Sequence, residues 1–215
     1  MGEVVPFALP RRFKRPLPPE DLSFFGFEPD PMLAQWISDV FIEEGSPLEN
    51  ETYAHLREAY LGCLWTRVEN SRGGRRIIGQ AELMPPMAMG KWQRARAEWQ
   101  MMSWFEQMPD FVITLDADYC RDADDISFCA LVEHELHHCA QERDEFGAPK
   151  FTRDGDPKFA IRGHDVEEFV GVVARYGAEA TGTRALVEAA NRGPSIAAAS
   201  VAAVCGTCAG ARRHG

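Results

Sequence analysis

Apolar residues recur at helical spacing through Leu33, Trp36, Ile37, Val40 and Phe41, which predicts a helix over residues 31–44. A second stripe, Tyr53, Leu56, Tyr60, Leu61, Leu64 and Trp65, predicts a helix over residues 50–68, broken at Asn70, Gly73 and Gly74. The pattern then changes period. Residues 76–83 alternate well enough for a strand, closed by Pro85 and Pro86. Trp92, Ala95, Trp99 and Met102 predict a third helix, and residues 111–115 (Phe-Val-Ile-Thr-Leu) a second strand.

The segment 116–124 reads as an acidic turn rich in potential N-caps, feeding a helix over residues 125–140 whose apolar stripe is Phe128, Leu131, Val132, Leu136 and Cys139. A polar loop containing Gly147, Pro149, Gly155, Pro157 and Gly163 follows, then a helix over residues 165–176. Seven of the 14 prolines fall within residues 1–32, which excludes a long helix or a central strand there. That stretch reads as an extended arm draped on the body through Phe24, Phe25 and Phe27. The organisation expected is an arm and first helix over 1–45, a main domain over 46–180, and an Ala/Gly-rich tail over 181–215.

Charge sharpens this division. The 215 residues carry a net charge of -10, but the extreme ends are basic, and the body between residues 20 and 188 is more acidic than the total suggests. An acidic body argues against a nucleic-acid-binding face. No apolar run approaches the roughly 18 residues a membrane-spanning helix needs, and prolines and bases stand where a secretory h-region would lie, so a cytoplasmic protein is expected. In that compartment Cys63, Cys120, Cys129, Cys139, Cys205 and Cys208 are expected to be thiols.

Inside the helix over 125–140 lies His134-Glu135-Leu136-His137-His138, an HExxH motif. Residues four apart share a helix face, so His134 and His138 can direct imidazole nitrogens at one metal ion, and the geometry suits zinc. Glu135 follows His134 by about 100° of rotation, which places its carboxylate beside a zinc-bound water as general base.

A catalytic zinc usually takes three protein ligands. The metzincin continuation is absent, because Gln141 and Asp144 stand where glycine and the third histidine belong. The remaining candidates are His164, Glu167 and Glu168. His164 is favoured by its rarity as a residue type and by the preceding Gly163. Glu168 could serve instead as ligand or as acceptor for an imidazole N–H, an option shared by Asp165. His137 points off the motif face, and Tyr176 is a weak candidate for stabilising an oxyanion. Cys205 and Cys208 form a lone CxxC with only His214 near, too few ligands for a structural zinc.

The HELHH helix, the strand before it, the upstream Ile78-Gly-Gln-Ala-Glu-Leu83 and the later Gly163-His-Asp-Val-Glu-Glu-Phe169 resemble the phage metallopeptidase family over about residues 50–178. That family is similar to the SprT-like zincins, although Asp165 replaces the glycine that follows their third histidine. The resemblance implies an α+β, minimal zincin-like fold, with helices packed on a small mixed sheet. It implies His134, His138 and His164 as ligands of Zn2+, and Glu135 as the catalytic residue. It also implies a protein or peptide substrate, bound along a sheet edge formed by residues 77–83 or 111–115, with the first the better edge. The function expected is a zinc-dependent metallopeptidase of phage or prophage origin. The alternatives are a non-catalytic zinc-bearing interaction module and a SprT-like protease acting on DNA-associated proteins.

Overall fold

The computed structural model describes residues 10–72, 74–87, 90–166, 170–180 and 182–195. The chain enters through the proline-rich arm into a short strand, β1 (Phe27–Pro29), and then α1 (Pro31–Ile37), which continues as a π-helical turn over Ser38–Ile42. Asp30 fixes this start. Its Oδ1 accepts the Met32 and Leu33 amides at 2.9 and 3.0 Å, Pro31 occupies the first helical position, and Oδ2 accepts Trp65 Nε1–H at 2.8 Å. The predicted helix over 31–44 is therefore present, with its last turn widened.

The helix expected over 50–68 is replaced by two elements. A 3-10 helix covers Glu51–Glu58, and β2 (Leu61–Thr66) follows, buried at every position. The apolar run of β2 mimics a helix stripe because both faces of the strand are covered, so no polar residues mark an alternation. Cys63 and Trp65 enter the main core, while Leu64 packs on the opposite face with Phe105 and Val112.

A two-residue ladder, β3 (Ser71–Arg72) with β4 (Arg75–Arg76), leads to β5 (Gly79–Leu83). After α2 (Lys91–Phe105) comes β6 (Phe111–Asp116). These strands form a mixed sheet in the order β1-β2-β6-β5, with β2 and β6 parallel and both outer pairs antiparallel. The α+β class is thus realised, with β5 terminal in the sheet and β6 interior.

The helix α2 has the predicted position, and the residues that predicted it are largely exposed. Trp92 is 87% and Trp99 70% exposed, and only Phe105 at the C-terminal end is buried. The arm touches the body through Phe24, under the Arg67 guanidinium, and Phe27, beside Trp104, although all three phenylalanines including Phe25 are exposed, and Leu22 and Arg15 make the buried contacts. Arg15 donates to the Cys120 and Ala123 carbonyls at 2.6 Å each and to Asp125 Oδ1 at 2.8 Å, with its guanidinium over the Phe128 ring. A cation at these carbonyls meets the negative end of a helix dipole.

That helix, α3 (Ala117–Asp122), occupies the expected acidic turn. Asp116 caps it, accepting the Tyr119 amide at 3.0 Å while both its oxygens take Arg76 at 2.7 Å. Asp124 then caps α4 (Asp125–His138) through the Ser127 amide at 2.7 Å. The predicted α4 stripe is buried in full and faces the sheet, and the Phe128 ring lies between Trp36 and Trp65 at 5.4 and 6.3 Å.

Beyond α4 the expected polar loop contains a second small sheet, β7 (Cys139–Gln141) with β8 (Phe159–Ile161). Its inner turns are tied by Glu142, whose carboxylate takes Lys150 Nζ at 2.7 Å and Lys158 Nζ at 2.6 Å. The helix predicted over 165–176 is found later, as α5 (Val170–Ala180) with a kink at Gly177, and α6 (Arg184–Arg192) lies in the segment read as tail.

Candidate metal centre

The centre is assembled where α4 ends and β8 ends. His134 and His138 lie one helical turn apart, with ring centroids 5.1 Å from each other. Directly after His138 the chain enters β7, whose antiparallel register sets Cys139 opposite Ile161. The ladder then locks at its helix end: the Arg162 amide donates to the His138 carbonyl at 2.9 Å, and His138 Nδ1–H donates to the Arg162 carbonyl at 2.6 Å. Two residues further, His164 arrives over the motif, its ring centroid 5.0 Å from those of both His134 and His138.

All three imidazoles offer a nitrogen within 4.8 Å of the others, and His164 Nε2 lies 3.1 Å from His134 Nε2. Zinc–nitrogen bonds of about 2.0–2.1 Å at the tetrahedral angle require nitrogens about 3.3 Å apart, a spacing the His134–His164 pair already approaches. His138 is suited further, because the Arg162 carbonyl holds the proton on Nδ1, so that Nε2 is the nitrogen that carries the lone pair. The three histidines line a cleft of about 200 Å³ with Gly163 and Asp165. His138 is buried and His164 exposed, so the cluster opens to solvent on one side.

Glu135 is fully buried and lies against the first residue of β5. A Cβ at Gly79 would sit 2.6 Å from Glu135 Oε1 and 2.9 Å from Leu131 Cδ1, so only glycine permits this approach of strand to helix. Sequence reasoning did not single out Gly79. Its signal was available, since a glycine opening a strand often marks close backbone contact. The Arg162 carbonyl carried no signal, because a backbone acceptor has no residue type.

The other candidates separate cleanly. Asp165 is exposed and pairs with Arg162. His137 is exposed with its ring 5.1 Å from Tyr53, whose hydroxyl donates to the Glu133 carbonyl at 3.3 Å. Burial, reinforced by the Glu133 charge, raises the Tyr53 phenol well above its ordinary range. Tyr176 is exposed on α5. Glu167, Glu168, Cys205, Cys208 and His214 lie outside the described residues. The other four cysteines are buried free thiols, which burial pushes up in pKa.

The family model described as "Putative phage metallopeptidase" matches residues 34–191. The chain belongs to this family. The match begins within α1 and runs through β2, β5 and β6, the HExxH helix and the segment that carries His164. Searches of curated proteins and of solved structures return no match. Among the described residues no helix is long and apolar enough to cross a membrane.

Proposed function

We propose that the chain is a zinc-dependent metallopeptidase that hydrolyses peptide bonds in a protein or peptide substrate, and that it serves a phage or prophage in the cytoplasm. The observation that carries the reading is the convergence of His134, His138 and His164 at one face of α4, with Glu135 next to His134 in sequence. His134, His138 and His164 hold the ion, a three-histidine set that leaves a position for water or substrate. Bound zinc supplies Lewis acidity and lowers the pKa of water at the site toward about 7.

The remaining chemistry belongs to the chain. Glu135 accepts a proton during attack on the scissile carbonyl and returns one to the leaving amine. Its burial between α4 and Gly79 keeps the carboxylate in one position, which supplies the preorganisation that general base catalysis needs. The hydrogen bond from His138 Nδ1 to the Arg162 carbonyl orients that imidazole and raises its basicity as a ligand.

The test combines metal analysis with one variant. Purified and reconstituted chain should contain one zinc per molecule, and Glu135→Gln should retain it while hydrolysis of casein is lost. A chain that takes up no zinc under either condition refutes the proposal. Zinc uptake without hydrolysis, and without displacement by a hydroxamate, would instead favour the non-catalytic zinc-bearing module.

A further inference from the structure

His137 and Arg162, which line the histidine cleft, also line a second, larger cavity of about 670 Å³. The two spaces are therefore adjacent. The volume lies within the range of small-molecule and side-chain binding sites. Its lining mixes polar groups with the apolar surfaces of Ala140, Pro149 and Ile161.

The polar lining has an unusual balance for so acidic a chain. Arg143 has no carboxylate partner among the described residues, and its Nη1 donates to the Gly147 carbonyl at 2.7 Å. That bond uses one of five guanidinium N–H donors and holds the head group in place. The neighbouring acid cannot neutralise it, because Glu142 is already occupied by Lys150 and Lys158. Arg162 is matched by Asp165, and among the described residues Glu51 is the one acid in the lining. Burial, and to a smaller extent the Arg143 cation, lowers the His55 imidazole, which faces the same cavity with one ring nitrogen on the Cys139 carbonyl at 2.9 Å.

We infer that this cavity is a specificity subsite for an acidic side chain of the peptide, glutamate above all, lying next to the scissile bond. The aliphatic stem of glutamate matches the Ala140, Pro149 and Ile161 surfaces, and its carboxylate meets the Arg143 fork, the side chain that forms planar pairs with carboxylates. Because an extended chain advances about 3.3–3.6 Å per residue, a side chain in this cavity belongs to a residue within a few positions of a carbonyl at the histidine cluster. The assignment rests on the metallopeptidase reading, which it sharpens by naming the substrate class.

The experiment measures binding, so it does not require turnover. Fluorescein-labelled, alanine-based peptides carrying a single Glu, Gln or Lys at each position in turn are titrated into the full chain bearing Glu135→Gln, with fluorescence anisotropy as the readout. At one position Glu should bind about fivefold more tightly than Gln, a modest factor because Arg143 is solvent-exposed. Arg143→Ala should remove the preference, Arg143→Lys should keep part of it, and Arg143→Glu should shift it toward the Lys peptide. Equal binding of Glu and Gln peptides at every position, no measurable binding at millimolar concentration, or a Glu preference that survives in Arg143→Glu overturns the inference. Casein hydrolysis by the zinc-loaded wild type is scored separately. Hydrolysis without a Glu preference removes the subsite alone, and a Glu preference without hydrolysis removes the peptidase reading alone.

Discussion

Gly79→Ala is the substitution that isolates Glu135 without touching it. The added Cβ would lie 2.6 Å from Glu135 Oε1, against an ordinary contact of 3.4 Å, so the carboxylate must retreat by roughly 0.8 Å, the difference between the two. Leu131 Cδ1, at 2.9 Å, must also give way. Gly79 does not have a positive φ, so alanine imposes no backbone penalty and the entire effect is steric. Overpacking of this kind costs about 1–3 kcal/mol of stability. A misplacement of about 1 Å at a catalytic group costs on the order of 100-fold in rate. The expected result is a folded variant with full zinc content, because the histidines are not displaced, and with kcat on casein reduced by about two orders of magnitude. Zinc content by mass spectrometry, urea midpoints and steady-state hydrolysis separate these quantities. If Gly79→Ala turns over at the wild-type rate while Glu135→Gln is inactive, the position of the carboxylate does not matter, and the reasoning from the close contact is wrong.

His164→Ala should leave the fold intact and weaken zinc binding. Zinc at 1,000 times its Kd should stabilise the wild type by about 4 kcal/mol and the variant by much less, as read from thermal unfolding with and without the ion. Arg15→Ala should lower stability by about 2–4 kcal/mol, because the carbonyls of Cys120 and Ala123 lose their donor and Phe128 its cation. A change in urea midpoint equivalent to less than about 0.5 kcal/mol would show that the arm contributes little. Lys150 and Lys158 depress the Glu142 carboxyl to about 2 from an ordinary 4.5. A depressed acid stabilises above its unfolded pKa and stops doing so as pH falls through the folded one. The stability gap between wild type and Glu142→Gln should therefore be constant above about pH 5 and close as pH falls from about 4.5 toward about 2. A gap independent of pH would refute the assignment.

The parts of the fold legible in the sequence are those where one face of an element is wet. The helix α4 alternates buried Phe128, Leu131, Val132 and Leu136 with half-buried or exposed positions, so its period is visible. The strand β2 is covered on both faces, its apolar run carries no period, and a helix was the natural misreading. In α2 the period gave the helix, but nothing in Trp92 or Trp99 reveals that only its C-terminal end, through Met101, Trp104 and Phe105, packs on the sheet. The ladder of β7 and β8 was hidden because ties such as Glu142 to Lys150 look like ordinary loop polarity. At the site, His134, Glu135 and His138 were legible from spacing alone. His164 was legible only as a candidate, because its approach depends on backbone pairing that side-chain types do not record.

That pairing separates the length of the chain from the geometry of the centre. At the exposed turn around Asp154, beyond the Glu142 ties and Arg143, the chain can gain or lose residues, and the centre remains as long as Cys139 still faces Ile161. A slip of one residue in the ladder would turn alternate side chains to the opposite face and carry His164 with them. The short ladder therefore works as a ruler: insertions at the exposed turn around Asp154 should be tolerated in functional variants, whereas a single deletion at Arg162 or Gly163 should abolish the centre although no histidine has changed.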